Sequence, residues 1–258
     1  MGRIGFLCRD TGASELDTAL AVCRFGSLIP EGIFTHFAVA DESAGGEEYT
    51  RTQYKCFVNG IGYLRDSGID FEIRHCSNSA AIFDYPEYEM DMVRAGIVLY
   101  GLKPSGAVRR FPELKPVMSL RSVVSHIKNL SAGECVGYGR AYTASCERRI
   151  ATVPIGYADG FWRSNGNQRY HLALNGRQAE IVGRVCMDQL MIDVSTIECS
   201  VGDIVDVFGT VKGNTVDDIA SVNGTINYEI LCSVGERVPK AYIKDGKIVK
   251  WKDILYNP

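Results

Sequence analysis

The pattern of hydrophobic residues changes near residues 112–116, and this change constrains the fold more than any other feature. Before it, apolar residues recur at helical spacing between short strand-like runs; after it, short alternating runs are separated by glycines. Strands that alternate with helices predict βαβ units and a parallel sheet, whereas short alternating runs between turns predict antiparallel β structure. We therefore predict an α/β part over residues 1–114 and an all-β part over residues 115–258.

Both parts contain recognisable elements. Helical spacing predicts one helix that begins near Ser14, a candidate N-cap, and a second over residues 46–66. In the all-β part we predict a single helix with Thr215 as its N-cap and a hairpin that turns at Asp245 and Gly246. The other predictions in the α/β part are strands over residues 32–40, 69–76 and 92–101 and a helical turn over residues 77–83.

Composition excludes several classes of protein. A net charge of −3 gives no overall basic field, and no run approaches the ~20 apolar residues of a membrane-spanning helix. Nine cysteines without metal-ligand spacing, and charges at Arg3, Arg9 and Asp10 where a signal peptide would be apolar, favour reduced thiols and no secretion. We expect a cytoplasmic protein with a small-molecule substrate, and neither metal, nucleic acid nor membrane as a partner.

Polar residues at the ends of the predicted parallel strands are the first candidates for chemistry, because active residues of α/β units lie there. His36 and His75 occupy such positions, and the residues alone favour satisfied core histidines for both. Arg94 stands inside an apolar run and needs either a structural carboxylate or an anionic ligand. Ser79 begins the predicted helical turn, where backbone N–H groups attract phosphate, but capping alone explains a serine there.

The all-β part offers weaker signals. Tyr138 lies between two glycines, which is typical of a hairpin tyrosine and equally allows a phenol that projects from a tight turn. Cys186 has no histidine nearby in sequence to activate it, so we interpret it as structural. The chain has neither a P-loop nor a dinucleotide fingerprint.

Taken in order along the chain, nine segments resemble the alanine racemase family. They are MGRIGF, EGIFTHFAVADE, HCSNSAA, DMVRAGIVLYGL, GYGRAYTA, ATVPIGYADGF, VGRVCMDQLMIDV, TINYEI and RVPKAYI. The resemblance implies the C-terminal part of a pyridoxal 5'-phosphate (PLP)-binding (β/α)8 barrel over residues 1–114, followed by the family's C-terminal β domain over residues 115–258. It also implies an isomerase that supplies D-alanine for peptidoglycan and works as a head-to-tail homodimer.

The resemblance further implies a role for individual residues. Arg94 matches the arginine bonded to the pyridine nitrogen of PLP, His36 the histidine under the ring, and His75 the histidine beside the arginine. The positions that it places around the phosphate are Asn78, Ser79, Gly96, Ile97 and Tyr228.

On the substrate side, Tyr138 matches the family's base for the L-enantiomer. Arg3 matches the arginine near the substrate carboxylate, while Tyr157, Met187 and Asp188 match the entrance and substrate end of the site. Racemisation needs bases on opposite faces of Cα, because a single base tends to return the proton to the face it left.

One part of the family pattern has no counterpart. The second base, which also holds PLP covalently, is a lysine in a Val-Lys-Ala-Asn-Ala-Tyr-Gly-like motif, and none of the ten lysines here lies in such a motif. Three predicted strands are also too few for an eight-stranded barrel. We expect an N-terminally truncated chain that is inactive alone. The alternatives are a non-catalytic racemase fragment, a serine racemase of the same family, which Tyr228 disfavours, and a stand-alone β-domain binding module.

Overall fold

The computed structural model describes residues 13–42 and 45–255, and the chain divides into two compact units between Lys115 and Pro116. Arg3 lies outside the described residues. Among the described helices, none has the length and apolar character needed to cross a membrane. The elements of the first unit are α1 (Ala13–Cys23), β1 (Gly32–Phe34), α2 (Gly46–Asp66), β2 (Ile73–His75) and α3 (Ser79–Asp84), with short 3-10 helices at Pro86–Tyr88 and Ile97–Tyr100.

In the first unit, β1 and β2 form a parallel pair, with Phe34 opposite His75. The 21-residue helix α2 packs its buried residues Phe57, Ile61 and Leu64 into the core of this unit. This arrangement confirms the predicted parallel α/β architecture, since parallel strands need a crossover and α2 supplies it. Both strands are shorter than predicted, because after Phe34 and after His75 the chain leaves the two-stranded sheet and forms loops.

The predicted strand over residues 92–101 is wrong. The backbone N–H of Arg94 donates to the carbonyl of Ser77, that of Gly96 donates to the Ser79 hydroxyl, and Ile97–Tyr100 then forms a 3-10 helix. These bonds tie the segment to the start of α3 and leave no continuous ladder with β2. The apolar run is thus a largely exposed segment that buries Ile97, and periodicity alone does not distinguish such a segment from a strand.

The second unit is built mainly of β-strands. They are β3 (Leu120–Val123), β4 (His126–Leu130), β5 (Cys135–Val136), β6 (Tyr142–Thr143), β7 (Arg148–Val153), β8 (His171–Leu174), β9 (Arg177–Val182), β10 (Leu190–Asp193), β11 (Ile204–Phe208), β12 (Lys240–Lys244) and β13 (Lys247–Lys252). Seven of them form an antiparallel sheet in the order β3-β11-β8-β9-β10-β7-β4. Its inward side chains, among them Leu172, Ile181 and Ile192, are fully buried. The sheet confirms the predicted β architecture of this part of the chain.

Two local predictions in the second unit are confirmed and one is wrong. Helix α4 (Val216–Asn223) begins after Thr215, whose hydroxyl accepts from the N–H of Asp218 in a capping box. Asp245 and Gly246 both have positive φ in the two-residue turn between β12 and β13. The prediction of a single helix is wrong, because the unit contains a second one, α5 (Asn227–Ser233), which is short and lacks the side-chain cap that would mark its start.

Candidate functional site

The guanidinium of Arg94 lies at the ends of β1 and β2 and contacts a histidine from each strand end. One nitrogen, Nη1, is 2.5 Å from Nδ1 of His75, and Nη2 is 3.2 Å from Nδ1 of His36. Nη2 also donates to the carbonyl oxygens of Thr35 and Cys76, at 3.0 and 3.1 Å. Every one of these partners is a neutral acceptor.

No described carboxylate forms an ion pair with Arg94, so the structure does not support the interpretation of this residue as half of a structural salt bridge. Partial burial lowers the pKa of Arg94, which reflects the cost of holding a charge there, although an arginine remains protonated. The guanidinium also lies 5.4 Å from the ring centre of Phe34, which stacks on His75. A positive charge held by neutral groups is typical of a site that receives an anion or a lone pair.

The contacts of Arg94 set the tautomers of both histidines. An arginine only donates, so Nδ1 of His36 and of His75 must accept, and the ring proton of each lies on Nε2. Burial and the charge of Arg94 lower the pKa of His75 below its usual 6.5. His75 is therefore neutral at pH 7 and acts as an acceptor that fixes the arginine.

Gln53 is a member of this site that sequence reasoning missed. From α2, its amide donates to the hydroxyl of Thr35 (3.0 Å) and the carbonyl of His36 (2.8 Å), and its oxygen accepts from the N–H of Ala38 (3.1 Å). The side chain thus binds both sides of the loop that carries His36. Its position on a polar side of a helix resembles that of any surface glutamine, so the pattern contained no signal for it.

The first residues of α3 lie against the segment that immediately precedes the 3-10 helix at Ile97–Tyr100. The Ser79 hydroxyl accepts from the N–H of Gly96 at 2.9 Å, and a Cβ at Gly96 would lie 3.5 Å from the same oxygen. The first N–H groups of both helical turns have no partner within their own turn. Asn78 caps α3 by accepting from the N–H of Ala81, so its side chain serves the helix. Ile97 is buried.

The second unit brings together three of the predicted substrate-side residues. Tyr157 and Ala158 donate their backbone N–H groups to the carbonyls of Cys186 and Met187, at 3.1 and 3.0 Å. A Cβ at Gly156 would lie 2.3 Å from both carbonyl oxygens, so this close approach requires glycine. The two segments are thus adjacent, and the side chains of Tyr157 and Met187 are each about half exposed to solvent. Cys186 is buried, which raises the pKa of its thiol and agrees with a structural role.

Arg237 fixes this turn and was also missed by sequence reasoning. Its guanidinium bridges Asp159 (2.8 Å) and Asp188 (2.6 Å), and these hydrogen bonds raise the pKa of Arg237. Asp159 in turn accepts from the N–H of Gly156. The carboxylate of Asp188 is therefore already paired, and this ion pair links the turn that carries Met187 to Arg237.

Tyr138 projects from the same unit. It is 70% exposed and is followed by Gly139, and both neighbouring glycines have positive φ. The backbone of Gly137 approaches Gly183 and Arg184, so Tyr138 adjoins the segment that leads to Met187. A phenol held on a tight turn and open to solvent is available to a substrate, whereas a packed hairpin tyrosine would be buried.

The structure thus gathers the predicted residues into two groups, one in each unit. The first unit holds Arg94, His36, His75, Asn78, Ser79, Gly96 and Ile97, and the second holds Tyr138, Tyr157, Met187 and Asp188. Tyr228 lies at the start of α5 in the second unit and is half-buried.

Comparison with known proteins gives one family for both units. The family model described as "Alanine racemase, N-terminal domain" matches residues 1–104, and "Alanine racemase, C-terminal domain" matches residues 117–242. Curated alanine racemases of Clostridium tetani and Desulforamulus reducens are 45% and 46% identical over 96% and 94% of this chain. The chain spans 64% of the length of each of these two relatives.

Solved structures of alanine racemases are similar to this chain in fold as well as in sequence. An alanine racemase of Clostridium difficile 630 in complex with cycloserine superposes with a TM-score of 0.87 at 40% identity, over 94% of this chain and 64% of that one. An alanine racemase from Bacillus anthracis with bound L-Ala-P gives a TM-score of 0.82 at 38% identity, over 87% and 58%.

Proposed function

Because the chain belongs to the alanine racemase family, we propose that it supplies the cofactor- and substrate-binding residues of a PLP-dependent enzyme that interconverts L- and D-alanine. The observation that carries this proposal is Arg94, a guanidinium held by neutral acceptors alone at the ends of two parallel strands. We propose that the product serves peptidoglycan synthesis and that the enzyme is cytoplasmic. Free thiols at all eight described cysteines support that location.

The residues of the first unit fit PLP at both of its polar ends. The paired helical starts at Ser79 and Ile97 present N–H groups to a phosphate, and Gly96 between them allows backbone approach. We assign Tyr228, from the second unit, to the same phosphate. Arg94 would donate to the pyridine nitrogen. When bound, PLP withdraws electrons from the substrate and so acidifies its α-hydrogen.

Arg94 determines which reaction follows. A guanidinium does not give up its proton at any physiological pH, so Arg94 donates a hydrogen bond without protonating the ring nitrogen. Weaker electron withdrawal by the ring favours return of a proton to Cα over transamination. His75 and His36 keep the guanidinium in place because each offers it a fixed Nδ1 lone pair.

Tyr138 is our candidate for the base that takes the α-proton of L-alanine at its phenolate oxygen. Arg94 and His36 are assigned as its positive and hydrogen-bonding neighbours. In this proposal two copies pack head to tail, and Tyr138 of one copy serves the first unit of the other. The exposure of Tyr138 on its turn supports this pairing, because an exposed side chain is accessible to a second copy. Arg3 would bind the substrate carboxylate, and Tyr157 and Met187 would line the entrance, with Asp188 holding Met187 in place.

In this proposal, the covalent partner of the cofactor and the base for D-alanine is a lysine that is not among the ten lysines of residues 1–258. We therefore propose that residues 1–258 alone do not racemise alanine. A serine racemase of the same family is the second candidate, and a non-catalytic fragment is the third.

The test is a fusion of this chain to the segment of the Clostridium tetani relative that the chain does not cover. Formation of D-alanine from L-alanine, and of D-serine from L-serine, is measured for the fusion and for residues 1–258 alone. We expect the fusion to turn over alanine in preference to serine and the chain alone to be inactive. In the fusion, Tyr138→Phe should slow proton removal from L-alanine, and Tyr142→Phe, in the strand that follows, is its matched control.

Three results would contradict the proposal. Preference for serine would favour the second candidate, and a dimeric, PLP-loaded fusion without turnover would favour a non-catalytic chain. Racemisation by residues 1–258 alone, with PLP trapped on one of the ten lysines by borohydride, would show that another lysine serves.

A further inference from the structure

Arg237 lies where three segments of the second unit meet, and its guanidinium bonds to two of them. Its Nε donates to Asp159 at 2.8 Å, and its Nη2 donates to Asp188 at 2.6 Å. Asp159 belongs to residues 156–160 and Asp188 to residues 186–189, and we call these two stretches the first and second entrance segments. A guanidinium holds its donors in a rigid planar fork, so it can bond both carboxylates at once.

The segment that carries Arg237 is itself anchored to the first entrance segment. The N–H of Gly235 donates to the carbonyl of Asp159 at 3.0 Å, and the Ser233 hydroxyl donates to the carbonyl of Gly160 at 3.0 Å. A Cβ at Gly160 would lie 1.9 Å from the carbonyl oxygen of Ser233, so this close approach requires glycine. The backbone from which Arg237 extends is therefore fixed relative to the first entrance segment.

The two ion pairs of Arg237 differ from an ordinary surface pair, which contributes little because both of its charges remain hydrated. The carboxylate of Asp159 is only 15% exposed and also accepts from the N–H of Gly156 at 2.8 Å. Without Arg237, this largely buried carboxylate would lose its counter-ion, which is costly. The second ion pair, to Asp188, ties the second entrance segment to the same anchored side chain.

We propose that Arg237 is a positioning residue that determines how closely the site fits the side chain of the substrate. This inference deepens the proposed function and rests on it, because that function places Tyr157 and Met187 at the entrance and substrate end of the site. A wall discriminates by size only if neighbouring contacts keep it from yielding. Arg237 provides such contacts through Asp159 and Asp188, since it ties the segments that carry Tyr157 and Met187 to one group.

The contact between the entrance segments is tested in residues 1–258. The N–H groups of Tyr157 and Ala158 donate from the first entrance segment to the second, so their hydrogen exchange reports separation of the two. We expect Arg237→Met to accelerate this exchange by roughly tenfold or more, because hydrogen bonds between charged groups are the strong ones. Arg121→Met, which removes a 2.7 Å ion pair to Asp206 elsewhere in the unit, is the matched control.

The effect on the substrate is tested in the fusion, with L-alanine and with L-2-aminobutyrate, whose side chain has one more methylene. A methylene typically changes kcat/KM by a factor of about 10 to 200 in an apolar pocket. We expect Arg237→Met to reduce the preference for alanine by about tenfold, and Arg237→Lys, which keeps the charge without the fork, to reduce it less. General destabilisation would lower kcat/KM for both substrates equally and would leave this preference unchanged.

A second variant tests whether Arg237 acts through Asp188. Asp188→Asn should also reduce the preference for alanine, and Arg237→Met/Asp188→Asn should reduce it no further than Arg237→Met alone. Additive losses would overturn the proposal, as would equal exchange in Arg237→Met and Arg121→Met. An active fusion whose preference Arg237→Met does not change would overturn it and leave the proposed function intact. A fusion that racemises neither substrate would contradict the proposed function itself, and this inference with it.

Discussion

Removal of the Gln53 side-chain amide should release the loop that carries His36. In Gln53→Met, a chain of similar length loses hydrogen bonds to Thr35, His36 and Ala38 at once. At about 1 kcal/mol for each bond, the loop is destabilised by about 3 kcal/mol, or roughly 100-fold in its opening equilibrium. The backbone N–H of Ala38 reports this directly, because Gln53 is its acceptor.

The assay is amide hydrogen exchange of the peptide that contains residues 35–38, read by mass spectrometry. We expect exchange at Ala38 to accelerate by roughly 100-fold in Gln53→Met, with α2 still protected. Thr52→Met, one position earlier on an exposed part of the same helix, is the matched control and should leave exchange unchanged. Equal exchange in Gln53→Met and the control would refute the claim that Gln53 holds this loop.

Three further predictions concern other parts of the site. Because the pKa of His75 lies below 6.5 in the folded state, the unfolded chain binds more protons under mildly acidic conditions, so stability should fall as pH drops below about 6.5. Urea unfolding at several pH values should show this slope, and His75→Gln should flatten it. Gly156→Ala places a Cβ 2.3 Å from the carbonyls of Cys186 and Met187, so thermal unfolding should show a loss of several degrees. In the fusion, Arg94→Glu allows the ring nitrogen to be protonated, and pyruvate formation should rise relative to racemisation; an unchanged ratio would contradict the assigned role.

Features with local chemical causes could be predicted from the sequence. The start of α4 follows from Thr215 and Asp218, whose capping box needs only residues three apart. The hairpin turn follows from Asp245 and Gly246, because both accept positive φ. The boundaries of α2 follow from the helical spacing of apolar residues that pack into the first unit.

Features that depend on distant partners could not be predicted. The segment around Arg94 has the composition of a strand, and only its bonds to Ser77 and Ser79 show that it crosses the start of α3 instead. Gln53 and Arg237 act through residues that lie at least 15 positions away, at spacings without any motif. The roles of Arg94 and Tyr138 came from family resemblance, since the residues alone left ordinary structural explanations open.

The most direct test of the central claim measures exchange of the α-hydrogen of each alanine enantiomer in D₂O, using the fusion with Tyr138 and with Tyr138→Phe. If Tyr138 is the base for L-alanine, Tyr138→Phe should slow exchange of L-alanine by about 100-fold or more and that of D-alanine far less. Tyr142→Phe should affect neither. Equal loss for both enantiomers, or none for L-alanine, would contradict the assignment of Tyr138 and with it our account of the site.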